Sequence, residues 1–198
     1  MKNIHVLSVA LLLAACSKKD KPVVDQPEPG APEMIYTDLK NTGVKQGQSF
    51  VIDLDKDGTN DIAFGNWYIG KPSEHKDEVL FFTTSYVHSQ LLMDTTTEST
   101  PRFNNGEKIP FASLPEHHQW YVVSLAELTR KNIPENKAPY WDGLWKQADH
   151  QYIAVLVQKQ AGTYAGWVEV SVDTNGERLV LHKAAISKIP GAEVRAGK

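Results

Sequence analysis

Four aspartates fall within nine residues of this chain, in the run Asp53-Leu54-Asp55-Lys56-Asp57-Gly58-Thr59-Asn60-Asp61, between the apolar triplets Phe50-Val51-Ile52 and Ile62-Ala63-Phe64. A turn that points alternate side chains inward gathers Asp53, Asp55 and Asp57 about one centre. Gly58 lets the backbone reverse, so that Thr59 offers its carbonyl and Asp61 closes the ring. An oxygen-only set selects a hard cation. Calcium, which takes six to eight oxygens at about 2.3–2.6 Å, suits this count better than magnesium, which keeps its waters, or zinc, which prefers nitrogen and sulfur. A helix–loop–helix site would need a bidentate glutamate at the twelfth position, which is Phe64, so the loop is expected to join strands. The alternative is a solvated acidic turn. It would leave close like-charge pairs repelling by about 1 kcal/mol or more, with only Lys56 inside the run to offset them.

The second chemically distinctive residue is Cys16, the sole cysteine of 198 residues, which therefore makes no internal disulfide. Before it come Lys2, the apolar stretch Val6–Leu13 and the small pair Ala14-Ala15. That is the pattern of a secretion signal, and its apolar core is too short to span a bilayer, which takes about 20 residues. A plain signal peptide with an incidental cysteine is the simpler alternative. The stretch Leu13-Ala14-Ala15-Cys16 resembles the lipobox of bacterial lipoproteins, which implies cleavage after residue 15 and acylation of Cys16. Each buried methylene of such a chain adds about 0.8 kcal/mol, so several acyl chains together anchor stably. Ser17 after the cysteine resembles outer-membrane sorting, at the periplasmic face or the cell surface.

Residues 17–33 hold four of the eleven prolines, seven charges and no aromatic residue. They cannot bury a core, and read as a disordered tether of extended geometry reaching at most roughly 50 Å. The expected organisation is thus a signal peptide over 1–15, a lipidated cysteine and tether over 16–33, and a single β domain over 34–198. That last segment is long enough to bury close to about 70% of its unfolded surface.

Short β-type runs bounded by turn residues dominate it: 49–54, 61–69, 78–86, 89–95, 119–123, 151–159, 163–172 and 177–186. In Trp167–Val172 the residues alternate, so Trp167, Glu169 and Ser171 share one face and Val168, Val170 and Val172 the other, the pattern of a half-buried strand. Asn175-Gly176 is expected to supply the positive φ angles of a tight hairpin turn, returning Leu179 and Leu181 on one face. Leu125–Lys131 is the main helical candidate, with capping-box spacing at Ser124 and Glu127 and a stop at Pro134. The fold class expected is mainly β, an antiparallel sandwich or barrel with one short helix.

The run Asp53–Gly65 resembles the calcium loops of FG-GAP and integrin-type repeats, in which strand, aspartate loop and strand are continuous. The resemblance implies Asp53, Asp55, Asp57 and Asp61 as side-chain ligands and Thr59 as a main-chain ligand. It occurs once, so a repeated-blade propeller does not follow. The last 48 residues, with Tyr164-Ala165-Gly166-Trp167-Val168, Ala184-Ala185-Ile186 and Val194-Arg195-Ala196-Gly197, resemble the ending of secreted proteins and lipoproteins of Bacteroidota-type bacteria. That likeness implies fold and address rather than a biochemical role.

Other constellations are weaker. The doublets Trp67-Tyr68, Trp120-Tyr121 and Tyr140-Trp141 could each expose one ring on a strand, and Trp67, Trp141 and Trp145 are the candidates for stacking on sugars. No two histidines have the helical spacing with an intervening glutamate of a zinc hydrolase, and neither a G-x-S-x-G elbow nor a phosphate-cradling glycine loop is present. Glu116, Glu127 and Asp142 offer carboxylates for a glycosidase pair without establishing the separation that chemistry needs. The net charge of −3 gives no basic excess for nucleic acid. The leading expectation is a non-catalytic, membrane-anchored β domain with one calcium and a glycan or protein partner. A carbohydrate-binding lipoprotein is the alternative.

Overall fold

The computed structural model describes residues 31–122 and 125–198. It is a β-sandwich of two antiparallel sheets that do not close into a barrel. The strands are β1 (Met34–Lys45), β2 (Phe50–Ile52), β3 (Ile62–Lys71), β4 (Lys76–Ser85), β5 (Ser89–Asp94), β6 (His118–Val122), β7 (Leu125–Pro134), β8 (Tyr140–Asp142), β9 (Gln151–Lys159), β10 (Gly162–Asp173) and β11 (Arg178–Ser187). One sheet has the order β1-β11-β10-β9-β5-β6, the other β2-β3-β4-β7-β8. Among the described residues no helix is long and apolar enough to cross a membrane.

The principal core lies between the sheets. Phe64, Val79, Phe81 and Leu128 from one meet Leu91, Ile153, Val155, Val168, Val170, Leu179 and Leu181 from the other, all buried. Full burial of such a side chain contributes about 1.5–3 kcal/mol. Leu179 and Leu181 share the inner face as the alternation predicts.

A second core covers the outer face of the six-stranded sheet. Phe103 and Ile109, from the segment after β5, and Val194 and Ala196, after β11, pack there on Leu92, Tyr152, Ala154, Leu156 and Trp167. Backbone bonds tie this layer down: Phe103 and Tyr152 exchange N–H···O bonds of 3.0 Å, and Ile109 N–H donates to Val194 O at 3.0 Å. The layer changes the expectation for β10: Trp167 is buried rather than half-exposed, and its Nε1 donates to Lys198 O at 3.2 Å. It also explains why β9 reads as an unbroken apolar run, since Tyr152 through Val157 are buried on both faces.

Two local expectations are corrected. Leu125–Lys131 is strand, not helix: β7 pairs with β4 on one side and β8 on the other. A bulge opposite Phe81 and Phe82 leaves Leu128 and Thr129 buried in succession, and pairing to two neighbouring strands outweighs the capping-box spacing of Ser124 and Glu127. The β10–β11 hairpin returns antiparallel as expected, but Glu177, at φ 52°, is its left-handed residue rather than Asn175 or Gly176. Asp173 pairs with Arg178, so four residues form the loop. Asp173 Oδ1 accepts Gly176 N–H at 2.8 Å, and Oδ2 accepts Arg178 Nε at 3.0 Å.

Candidate metal centre

The aspartate loop joins β2 to β3, which pair directly as Phe50 with Phe64 and Ile52 with Ile62. Leu54 anchors it, fully buried in the main core, while Lys56 to Asn60 are exposed. Two left-handed positions, Lys56 at φ 61° and Gly58 at φ 90°, fold the loop back on itself.

Asp61 is its buried pivot. Oδ2 accepts Leu54 N–H at 2.6 Å, and Oδ1 accepts His88 Nε2–H at 2.9 Å and Ser89 Oγ–H at 3.1 Å. Its own N–H donates to Ile52 O at 2.9 Å. Burial pushes the Asp61 carboxyl above the usual aspartate range, against the pull of the Leu54 amide. Asp53 closes the turn from the other end, its Oδ1 and Oδ2 accepting the N–H groups of Asp57 at 3.2 Å and Gly58 at 2.8 Å.

Asp53, Asp55 and Asp61 converge: one carboxylate oxygen from each lies within 4.8 Å of the others. Asp57 takes a different part. Its Oδ1 accepts Thr59 N–H at 2.9 Å, its Oδ2 faces Lys159 Nζ at 3.2 Å, and the Thr59 amide, then Lys159, hold its pKa below the ordinary aspartate value. Thr59 is exposed, with its amide committed to Asp57. Asp55 is nearly buried, and its Oδ2 is paired with the Lys159 ammonium at 2.5 Å, which supplies the positive charge that a buried carboxylate oxygen requires. An all-oxygen donor set of this kind suits a hard divalent cation.

The three tryptophans do not share a face. Trp67 is 52% exposed on β3, with its ring tilted on Phe82 at 4.7 Å between centroids. Trp141 is half-buried and stacks on the core ring of Phe81 at 5.6 Å. Trp145 is fully buried, its Nε1 donating to Thr100 O at 2.9 Å, so it offers no ring to a sugar. Among the proposed carboxylates, Glu127 is engaged by Arg130, whose Nε donates to Oε1 at 2.7 Å. Cys16 lies outside the described residues.

A polar network that sequence reading missed sits on the outer face of the six-stranded sheet. His150 and His182 stack with centroids 4.1 Å apart. His182 Nδ1 meets Asn41 Oδ1 at 2.7 Å, and His182 Nε2 meets Ser171 Oγ at 2.7 Å. His150 Nδ1 meets Glu169 Oε1 at 2.6 Å, while His150 N–H donates to Ser171 Oγ at 2.8 Å. Asn41 and His182 are 141 positions apart, so no local pattern announces the contact. Lys159 was likewise invisible, because only the packing of one sheet on the other carries it to the loop.

No family model matches this chain, and comparison with curated proteins and with solved structures finds no match.

Proposed function

We propose that this chain is a lipid-anchored β domain of the cell envelope, held to the outer membrane through Cys16, with one structural calcium and a non-catalytic binding or structural role. The observation that supports the metal is the convergence of the Asp53, Asp55 and Asp61 carboxylates. A bound cation there supplies charge compensation and rigidity to the β2–β3 connection. The chain's own residues do the rest: Asp61 fixes the loop to the β4–β5 connection and to β5 through His88 and Ser89, and Asp53 orients it through two amides. The expected affinity is that of extracellular modules, about 10⁻⁴–10⁻³ M. Calorimetric titration of the full chain should show calcium uptake that Asp53→Ala and Asp55→Ala abolish. Melting curves identical in calcium and in chelator would sink the reading.

A carbohydrate-binding role is the second reading, and the half-exposed ring of Trp67 supports it. Retention on a glycan matrix should then be lost in Trp67→Ala, and retention unchanged by that substitution would remove it.

A further inference from the structure

Lys159 ends β9 in the six-stranded sheet, yet its ammonium reaches the aspartate loop of the other sheet. Nζ lies 2.5 Å from Asp55 Oδ2 and 3.2 Å from Asp57 Oδ2. Both contacts are charge pairs, so the ammonium already occupies the side of Asp55 on which a bound cation would have to be compensated. Lys56, the lysine inside the loop, is turned away, its Nζ donating to Tyr36 O at 3.1 Å. The ammonium also has somewhere to go. An open cleft of about 260 Å³ lies alongside, lined by Ile35, Asp55, Lys159, Tyr164, Ser187 and Lys188.

From this geometry we infer that Lys159 is a tethered competitor for the cation site: its ammonium neutralises Asp55 and Asp57 in the metal-free loop and is expelled when a divalent ion binds. The inference rests on the metal reading above and adds to it the residue that sets affinity and release. The exchange moves no proton, because the lysine leaves as ammonium. Burial opposes its charge, but Asp55 and Asp57 outweigh that and hold the Lys159 pKa above the ordinary lysine value. A divalent ion brings one more positive charge than it displaces to the converging carboxylates of Asp53, Asp55 and Asp61, so binding proceeds while the lysine discounts it. The metal-free loop keeps a counter-ion and stays folded.

Two measurements on the full-length chain test this. Acylation of each lysine by a succinimidyl ester, followed by mass spectrometry, should speed up at Lys159 by about tenfold between chelator and saturating calcium, and stay level at Lys146. By calorimetry, Lys159→Met should bind calcium about tenfold more tightly than the parent, the scale of coupling between two ligands contesting one site. Lys159→Arg, which keeps the charge, should not tighten binding. Equal affinities in parent and Lys159→Met, with Lys159 reactivity unmoved by calcium, overturn the competition and leave the cation site standing. Failure of every chain to take up calcium removes the site and the competition together. If Lys159→Met does not fold, the acylation result on the parent chain decides alone.

Discussion

The carboxylate of Asp61 and the amide of Leu54 are joined by a 2.6 Å hydrogen bond across the whole of the exposed loop, with both residues buried. The six residues between them are thereby closed into a ring whose two feet stand in the core. The loop's shape is therefore set by packing as well as by any ion.

Asp61→Ala should destabilise the domain even in chelator. It leaves the Leu54 amide, the Ser89 hydroxyl and His88 without their acceptor in a buried site. Unsatisfied buried donors cost about 1–3 kcal/mol each, so a total of about 2–4 kcal/mol is expected. In a chain of this size that lowers the melting temperature by about 5–15 °C. Differential scanning calorimetry with excess chelator measures it, and a shift below about 2 °C would show that Asp61 serves the ion alone.

Trp145 and Trp67 should behave oppositely. Trp145→Ala empties a fully buried site and orphans the Thr100 carbonyl, at a cost of about 3–5 kcal/mol. Trp67→Ala, half in solvent, should cost about 1 kcal/mol or less beyond its contact with Phe82. Urea unfolding of the two variants distinguishes them, and equal midpoints would refute the assignment of Trp145 to the core.

Acid should weaken the domain through His182. Burial first, and the neighbouring His150 second, lower its pKa from 6.5, against the opposing pull of Glu169 and Asp149. The folded chain thus takes up a proton less readily than the unfolded chain. Stability is full above about pH 6.5, declines as the pH falls through that value, and levels off below the folded-state pKa. His182→Gln should flatten this part of the profile while losing about 1 kcal/mol at neutral pH from altered bonds to Asn41 and Ser171. Chemical denaturation at pH 7.5, 6.5 and 5.5 follows it, and parallel losses in both chains would rule His182 out as the source.

The strand-loop-strand element at Asp53–Asp61 was legible because its signals are local: apolar triplets, alternating carboxylates and one glycine. The long strands from β3 to β5 and from β9 to β11 were legible for the same reason. β1 was not, because Lys40 and Asn41, left-handed at φ 55° and 54°, interrupt its alternation. β7 was mistaken for helix because the capping-box spacing of Ser124 and Glu127 and the stop at Pro134 are local signals, which pairing to β4 and β8 overrides. Within the candidate site, Asp55 and Asp61 could be named from spacing, whereas His88, Ser89 and Lys159 could not, since they arrive from the β4–β5 connection, the start of β5 and the end of β9 by long-range packing.

The interruption in β1 has one further effect. This strand forms the rim of the larger sheet, twelve residues long, and its outward backbone groups are a template on which a neighbour could lay its own chain. Between Asp38 and Thr42 the register with β11 slips, and three residues of β1 stand opposite His182 alone. The kink breaks the template into pieces of five and four residues set out of line with each other, so a straight partner strand can follow only one of them at a time and the rim is a poorer seam for edge-to-edge association.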